Sequence, residues 1–346
     1  MRRNDRLQLI SLTHPSGLAL DLMNRGATWL SCRVPMGGNS SREVILGCLK
    51  PCDYELQGAY LGAMIGRYTN RIADAVFARN QRTYHLTRTD GTRHQLHGGP
   101  DGFHRRYWSV MSQSAISVRF RLESPDGDQG YPGDLVVFVQ VILSGPRQIT
   151  LDITAETTED CPVCLTHHPY FNLDAVHDDA RHHSLEIAAE QFLPIDSTLI
   201  PTGSLAAVDS PAHGGAFDFR QSRTISSRWL PELQPQQQLA DGYDHAYLLL
   251  EDARIGCRPA AVLRSSDKRL SMQITTSMPA LQLYTGQHLA GIIGRDGLPL
   301  RACAGIALEP EFLPDSPNHP EWPQPTCWLA SDETYRHTIR YDFNVL

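Results

Sequence analysis

Residues 115–123 read AISVRFRLE, and from Ile116 onward apolar and polar side chains alternate. Successive side chains of an extended chain point to opposite faces, so this pattern predicts a strand with one buried face. The same alternation occurs in three further segments: QITLDITAE (148–156), RLSMQITTS (269–277) and HTIRYDFNVL (337–346). Repeated half-buried strands of this kind are typical of antiparallel sheets.

The segment LVVFVQVIL (135–143) is apolar on both phases, which predicts an interior strand covered on both faces. Turn signals such as PMGGNSS (35–41) and SPDGDQGYPGD (124–134) are frequent. Helical periodicity is scarce, and the best candidate is a short helix within SRWLPELQPQQQL (227–239). The sequence therefore predicts an all-β chain, a large antiparallel β-sandwich, with residues 1–346 forming a single domain.

The composition excludes several classes of partner. The chain of 346 residues is 41% hydrophobic and 20% charged, with a formal net charge of −7. It offers no basic field for nucleic acid or for an anionic membrane surface. No apolar run approaches the roughly 18–20 residues needed to span a bilayer, and the N-terminus lacks an apolar signal core. We therefore expect a soluble, cytoplasmic protein. Cys161 and Cys164 form one C-x-x-C without a second, so buried reduced thiols are expected.

Five segments stand out from the β background because they are rich in His, acidic, amide and aromatic residues. They are GRYTNRI (66–72), QLHGGPDGFHRRYW (95–108), LTHHPYFNL (165–173), DGYDHAYLL (241–249) and GIALEPEFLPDSPNHPEWPQP (305–325). The chain has no glycine-rich nucleotide motif and no H-E-x-x-H. We therefore expect no cofactor and no metal.

In this order, over essentially the whole chain, the five segments resemble the aldose 1-epimerase family, the galactose mutarotases, and especially its enterobacterial members. The resemblance implies a super-sandwich of large antiparallel sheets, in agreement with the strand pattern. It also implies an isomerase that interconverts the α and β anomers of free sugars such as galactose and glucose. The expected partner is a monosaccharide substrate, and the expected state is a monomer or a weak homodimer.

Mutarotation needs one group that takes the proton of the C1 hydroxyl and another that protonates the ring oxygen. The resemblance implies that Glu309 is the base and His168 the acid, and that His97 is a further imidazole at the sugar. It also implies residues that line the site or hold sugar hydroxyls: Asn70, Arg71, Tyr170, Asp244 and Gln282.

Two pairs of neighbouring residues, His167 with His168 and Glu309 with Glu311, each offer two candidates for one catalytic role. If 165–171 is extended, His168 and Tyr170 share one face and His167 points to the other. The family usually has Asn where His94 and His167 stand, so we expect both to lie at the surface or to support the site from behind. Glu311 would share a face with Glu309, and only the family register favours Glu309.

Three other functions fit parts of the sequence. A non-catalytic sugar-binding module could have lost Glu309 or His168, but both are present. An epimerase of hexose phosphates would need basic residues, which Arg105 and Arg106 could supply. A metal-dependent hydrolase built from the fifteen histidines lacks any supporting ligand spacing.

Overall fold

Strands dominate the structure, a computed structural model that describes residues 6–175, 178–229, 232, 234–256 and 258–346. The α-helices within these residues are short, α1 (Pro235–Ala240) and α2 (Glu251–Arg254). Helix α1 confirms the second half of the helix predicted in 227–239; residues 230, 231 and 233 of that segment lie outside the described residues.

In chain order the strands are β1 Leu9–Thr13, β2 Ala19–Met23, β3 Thr28–Gly37, β4 Ser40–Glu43, β5 Met64–Ile65, β6 Arg71–Ile72, β7 Val76–Arg79, β8 Arg82–His85, β9 Gln95–Leu96, β10 Ser109–Gln113, β11 Ser117–Ser124, β12 Leu135–Gly145, β13 Gln148–Thr157, β14 Cys161–Pro162, β15 Thr166–His167, β16 Tyr170–Phe171, β17 Ser184–Ile187, β18 Ala189–Phe192, β19 Ala206–Ala207, β20 Arg223–Thr224, β21 Asp244–Leu249, β22 Ala261–Arg264, β23 Leu270–Thr276, β24 Ala280–Tyr284, β25 Ile306–Glu311, β26 Trp328–Leu329 and β27 Tyr335–Val345.

Three larger antiparallel sheets form the architecture, which confirms the predicted all-β class. The nine-stranded sheet has the order β10-β11-β12-β13-β27-β23-β22-β17-β20. The six-stranded sheet has the order β16-β25-β24-β21-β18-β19, and the four-stranded sheet runs β1-β2-β3-β4. One hydrophobic cluster contains Leu20 of the four-stranded sheet, Ile153 of the nine-stranded sheet and Leu308 of the six-stranded sheet. The sheets therefore pack face to face around a shared core, as in a sandwich.

The predicted alternation is confirmed in the nine-stranded sheet. Strand β11 buries Val118, Phe120 and Leu122 and exposes Arg119 between them. The same period fixes which face of β13 meets the core, because a shift by one residue would turn every apolar side chain outward.

The segment 135–143 differs from its prediction. Strand β12 is interior, with β11 and β13 on its two sides, but only one of its faces is fully buried. On the other face Phe138 is half-buried, and the guanidinium of Arg119 lies 4.6 Å from the centre of its ring. The expectation of cover on both faces is therefore wrong. Arg119 and Arg121 of β11, rather than a second layer, lie over Phe138 on that face.

The thiols of Cys161 and Cys164 are buried and form no disulfide with the described cysteines. Burial raises the pKa of the Cys161 thiol to about 11, so this thiol is protonated at neutral pH. Its burial and its protonation agree with the expected buried, reduced thiols. In the described part of the chain, no helix has the length and apolar character needed to cross a membrane.

Candidate active site

The six-stranded sheet supplies one wall of the candidate site. Glu309 of β25 lies directly opposite Gln282 of β24, and Tyr284 of β24 lies opposite Asp244 of β21. Directly paired residues of neighbouring strands project from the same face, as do alternate residues of one strand. Two carboxylates, an amide and a phenol therefore project from one face, while Leu308 on the opposite face belongs to the core.

A second wall comes from the chain around Asn70 and His97. Strand β6 pairs with β9, which places these two residues side by side. The backbone N–H of His97 donates to the carbonyl of Asn70 at 3.0 Å, and the N–H of Asn70 donates to His97 Nδ1 at 3.2 Å. Because Nδ1 accepts, the proton of the neutral ring lies on Nε2, where it can be donated to a ligand.

Three residues of this wall have left-handed backbones that are costly for side chains with a Cβ. They are Tyr60 with φ 57°, Asn70 with φ 63° and His97 with φ 54°. Gly98, with φ 80°, follows His97, and a Cβ there would collide with the backbone of Gly66. Backbone strain of this kind is concentrated at functional sites, where surrounding contacts hold it in place.

The histidine pair is divided between the site and the core. Strand β15 ends at His167, and the N–H of His168 donates to the carbonyl of Ala63 at 3.0 Å. The imidazole of His168 lines the cleft. His167 is fully buried, with its ring 4.2 Å from that of Trp29 and its Nε2 3.0 Å from the carbonyl of Gly62. The predicted division of the two imidazoles is confirmed, but His167 lies in the core rather than at the surface.

These walls enclose a cleft of about 820 Å³. Seven of the eight residues predicted for the site line it: Asn70, Arg71, His97, His168, Tyr170, Asp244 and Glu309. Gln282 stands behind this surface, where its Nε2 donates to Asp244 Oδ1 at 2.6 Å. Arg71 Nη1 lies 3.3 Å from Asp244 Oδ2, so both oxygens of this carboxylate are held by neighbours.

His168 and Glu309 are in contact with each other in the cleft. His168 Nε2 lies 3.4 Å from Glu309 Oε1, and the two side chains are 4% and 2% exposed. Glu309 Oε2 is buried and has no hydrogen-bond partner among the described residues. A buried carboxylate oxygen without a partner is available to accept a hydrogen bond from a ligand hydroxyl.

Burial moves the pKa values of His168 and Glu309 in opposite directions. It lowers the pKa of His168 to about 4 and raises the pKa of Glu309 well above its usual range, with the Asp244 carboxylate adding to the latter. Burial also lowers the pKa of His97 well below its usual range. Burial therefore favours the neutral form of both imidazoles and of the Glu309 carboxyl.

The same side chains have ligand atoms that a metal could use. One atom each from His97, His168 and Glu309 lie within 4.8 Å of one another. Two imidazoles and a carboxylate are a donor set that divalent transition metals accept. A metal centre and an acid–base pair would compete for the same atoms, so metal removal separates the two chemistries.

The family model described as Aldose 1-epimerase matches residues 8–342. The chain belongs to the aldose 1-epimerase family. It is 43% identical over 336 residues to the aldose 1-epimerase of Escherichia coli K12, covering 97% of this chain and 95% of that protein. It is 33% identical over 334 residues to the galactose mutarotase of Mus musculus, covering 95% and 92% of the two chains.

Solved structures agree with the fold of an aldose 1-epimerase. A GalM/aldose epimerase homologue from C. elegans superposes with a TM-score of 0.87 at 26% identity, covering 99% of this chain and 100% of that one. A galactose 1-epimerase from Lactobacillus acidophilus NCFM gives a TM-score of 0.83 at 26% identity, covering 100% and 97%. The family resemblance and the predicted sandwich are thereby confirmed.

Two tyrosines of this epimerase cleft were not predicted from the sequence. The Tyr60 ring lies 4.6 Å from His97 and 5.9 Å from His168, and Tyr284 packs on Tyr170 at 6.0 Å. Tyr284 could have been found, because it follows Gln282 by two residues and so shares its face. Tyr60 lies outside any alternating pattern and depends on a left-handed backbone, so no local signal marked it.

The structure separates the two glutamates that periodicity left open. Glu309 lines the cleft, whereas Glu311 lies behind it and its Oε1 accepts a hydrogen bond from Asn70 Nδ2 at 3.1 Å. His94 is buried and does not line the cleft; its Nδ1 accepts from the N–H of Asp74 at 2.9 Å. The register that favoured Glu309 therefore agrees with the geometry.

Proposed function

We propose that this protein is an aldose 1-epimerase that interconverts the α and β anomers of free hexoses, with D-galactose and D-glucose as substrates. The observation that carries the proposal is the 3.4 Å contact between His168 Nε2 and Glu309 Oε1 in the cleft. The similarity to an aldose 1-epimerase and to a galactose mutarotase supports the same reaction.

The pair can carry out both proton transfers of ring opening. Glu309 takes the proton of the C1 hydroxyl while His168 gives a proton to the ring oxygen, and the C1–O5 bond breaks. The open-chain aldehyde then turns about its C1–C2 bond. The reverse transfers close the ring on the other face, so no atom is gained or lost and no redox change occurs.

The charge distribution suits a pair that shares one proton. Ring opening leaves Glu309 protonated and His168 neutral, and this is the distribution that burial favours. Before ring opening, the enzyme needs the opposite distribution, with the proton on His168 and Glu309 ionised. Sugar hydroxyls that donate to Glu309 stabilise its carboxylate, and the 3.4 Å contact keeps the proton within the pair.

The remaining polar groups of the cleft suit a polyol. Arg71 and Asp244 form a half-buried ion pair whose unused N–H groups and lone pairs can bind hydroxyls. The neutral ring of His97 offers Nε2–H as a donor. Tyr60 and Tyr170 supply aromatic faces that can cover the apolar side of a sugar.

The arrangement favours free sugars over hexose phosphates. Neither Arg105 nor Arg106 lines the cleft, and Arg106 is engaged by Asp101 and Asp128 at 3.0 Å and 2.7 Å. Among the described residues that line the cleft, the only lysine or arginine besides the paired Arg71 is Lys50. A non-catalytic sugar-binding module would not need the pair of His168 and Glu309.

The wider organisation is part of the same proposal. We propose that residues 1–346 form one aldose 1-epimerase domain, supported by the family match to 8–342 and by the core shared between the sheets. We further propose a cytoplasmic enzyme that acts as a monomer or a weak homodimer.

Polarimetry tests the activity directly, and metal removal tests its chemistry. Freshly dissolved α-D-galactose or α-D-glucose should reach anomeric equilibrium faster with the protein than without it. Because the acid–base pair needs no metal, the rate should be unchanged after exhaustive treatment with EDTA. Loss of activity that added Zn²⁺ restores would instead assign His97, His168 and Glu309 to a metal centre.

The pH profile of kcat/KM should be bell-shaped, because activity requires that the pair hold one proton. The acid limb should follow His168, whose pKa burial lowers to about 4; below it both groups are protonated and no base remains. The alkaline limb should follow the raised pKa of Glu309, above which no acid remains. This order of limbs reverses the assignment that ordinary pKa values would suggest. Activity that stays constant from about pH 7 down to about pH 3 would contradict it, because the acid limb would be missing.

A further inference from the structure

Glu311 is a buried acidic residue for which the proposed reaction has no use. It is 0% exposed and projects from the same face of β25 as Glu309. It forms no ion pair with the described residues; its Oε1 accepts from Asn70 Nδ2 at 3.1 Å, and its Oε2 has no partner among them. Burying a carboxyl group without a cation is unfavourable, so its presence here calls for a physical reason.

Asn70, the hydrogen-bond partner of Glu311, connects two residues of the sugar site, His97 and Arg71. The Asn70 backbone N–H and carbonyl are both bonded to His97, and Asn70 Oδ1 accepts from the N–H of Arg71 at 2.9 Å. With Oδ1 engaged by Arg71, the amide group of Asn70 is oriented by the bond from Nδ2 to Glu311. Asn70 also has a left-handed backbone, with φ 63°, which local contacts must hold in place.

We propose that Glu311 is a positioning residue for sugar binding: by holding the Asn70 amide, it keeps His97 and Arg71 in the arrangement that receives the sugar. This inference rests on the proposed function in one respect, that the cleft binds a sugar. It assigns Glu311 no contact with the substrate and no proton transfer.

The surroundings of Glu311 fit a neutral acid in this role. Burial raises the pKa of its carboxyl well above the usual range, and the carboxylates of Glu309 and Asp244 add to that rise, while the bond from Asn70 and the charge of Arg71 oppose it. A neutral Glu311 can still accept from Asn70 through its carbonyl oxygen. It also spares Glu309 a second negative charge nearby when Glu309 ionises during turnover.

Two substitutions at this position separate the hydrogen bond from the side-chain volume. Glu311→Gln keeps an oxygen that can accept from Asn70 and cannot ionise, whereas Glu311→Met keeps similar length without a strong acceptor. We expect Glu311→Gln to retain kcat/KM for D-galactose within about 3-fold, and Glu311→Met to lower it roughly 10–100-fold, mainly through KM. In an Asn70→Ala background, Glu311→Met should add less than about 3-fold, because the contact it removes is already absent.

The controls distinguish positioning from a general loss of stability. Leu308→Ala, on the core face of the same strand, should lower Tm without a selective rise in KM. If Glu311→Met lowered Tm as Leu308→Ala does and left KM unchanged, Glu311 would be merely structural. Losses by Glu311→Gln as large as those of Glu311→Met, or full additivity with Asn70→Ala, would equally overturn the proposal.

Calorimetric binding of D-galactose to the same variants makes the test independent of turnover. Weaker binding by Glu311→Met, with binding retained by Glu311→Gln, would support the inference even if the wild-type protein bound sugar without interconverting its anomers. In that case the proposed catalysis would fail and the positioning role would stand. Absence of sugar binding by the wild-type protein would overturn both.

Discussion

Glu309→Gln should lower kcat for D-galactose mutarotation by roughly 10²–10⁴-fold, because it removes the base that takes the C1 hydroxyl proton. The amide has nearly the same shape and can still accept a hydrogen bond, so the fold should be retained. Polarimetry gives kcat, and circular dichroism verifies folding. Because neutral Gln replaces a carboxyl whose pKa is raised by burial, stability should not fall.

Glu311→Gln is the matched control for this substitution. It changes the same chemical group on the same strand and the same face, but behind the cleft rather than in it. Near-normal kcat for Glu309→Gln together with a severe loss for Glu311→Gln would show that the base is the other glutamate.

His168→Asn should also lower kcat by roughly 10²–10⁴-fold, because it removes the imidazole that contacts Glu309 and protonates the ring oxygen. Asn can donate a hydrogen bond but does not transfer a proton at accessible pH. The effect should appear in kcat rather than mainly in KM, since the lost interaction belongs to the transition state.

The neighbouring histidine provides the control. His167→Asn should leave kcat within a few-fold of the wild type, because His167 does not line the cleft. It should lower stability by about 1–3 kcal/mol, since the ring packs on Trp29 and its bond to the Gly62 carbonyl is buried. Equal, severe losses of kcat in two well-folded variants would mean that both imidazoles reach the sugar.

The strands were the most predictable part of the fold because their evidence is local. The period-two pattern identified β11, β13, β23 and β27 from neighbouring residues alone. The order of strands is not local: β27, at the end of the chain, lies between β13 and β23 in the nine-stranded sheet. The half-buried face of β12 was not predictable from its own residues either, because an arginine of the neighbouring strand β11 lies over it.

The site was predictable as far as its motifs extend. Seven predicted residues line one cleft, although they come from segments that are far apart in the chain. The protonation order of His168 and Glu309 was not predictable, because it arises from burial of both groups. The hydrogen bond from Gln282 Nε2 to Asp244 Oδ1 was not predictable either, because it depends on the pairing of β21 with β24.

The double variant Glu309→Gln/His168→Asn tests the central claim, that these two residues act as one proton-transfer pair. Its polarimetric kcat for D-galactose should be measured beside those of both single variants under one condition. Removing either member of a unit disables the other, so the double variant should stay within about tenfold of the worse single variant. A loss equal to the product of the two single losses would show two independent contributions and would contradict the account.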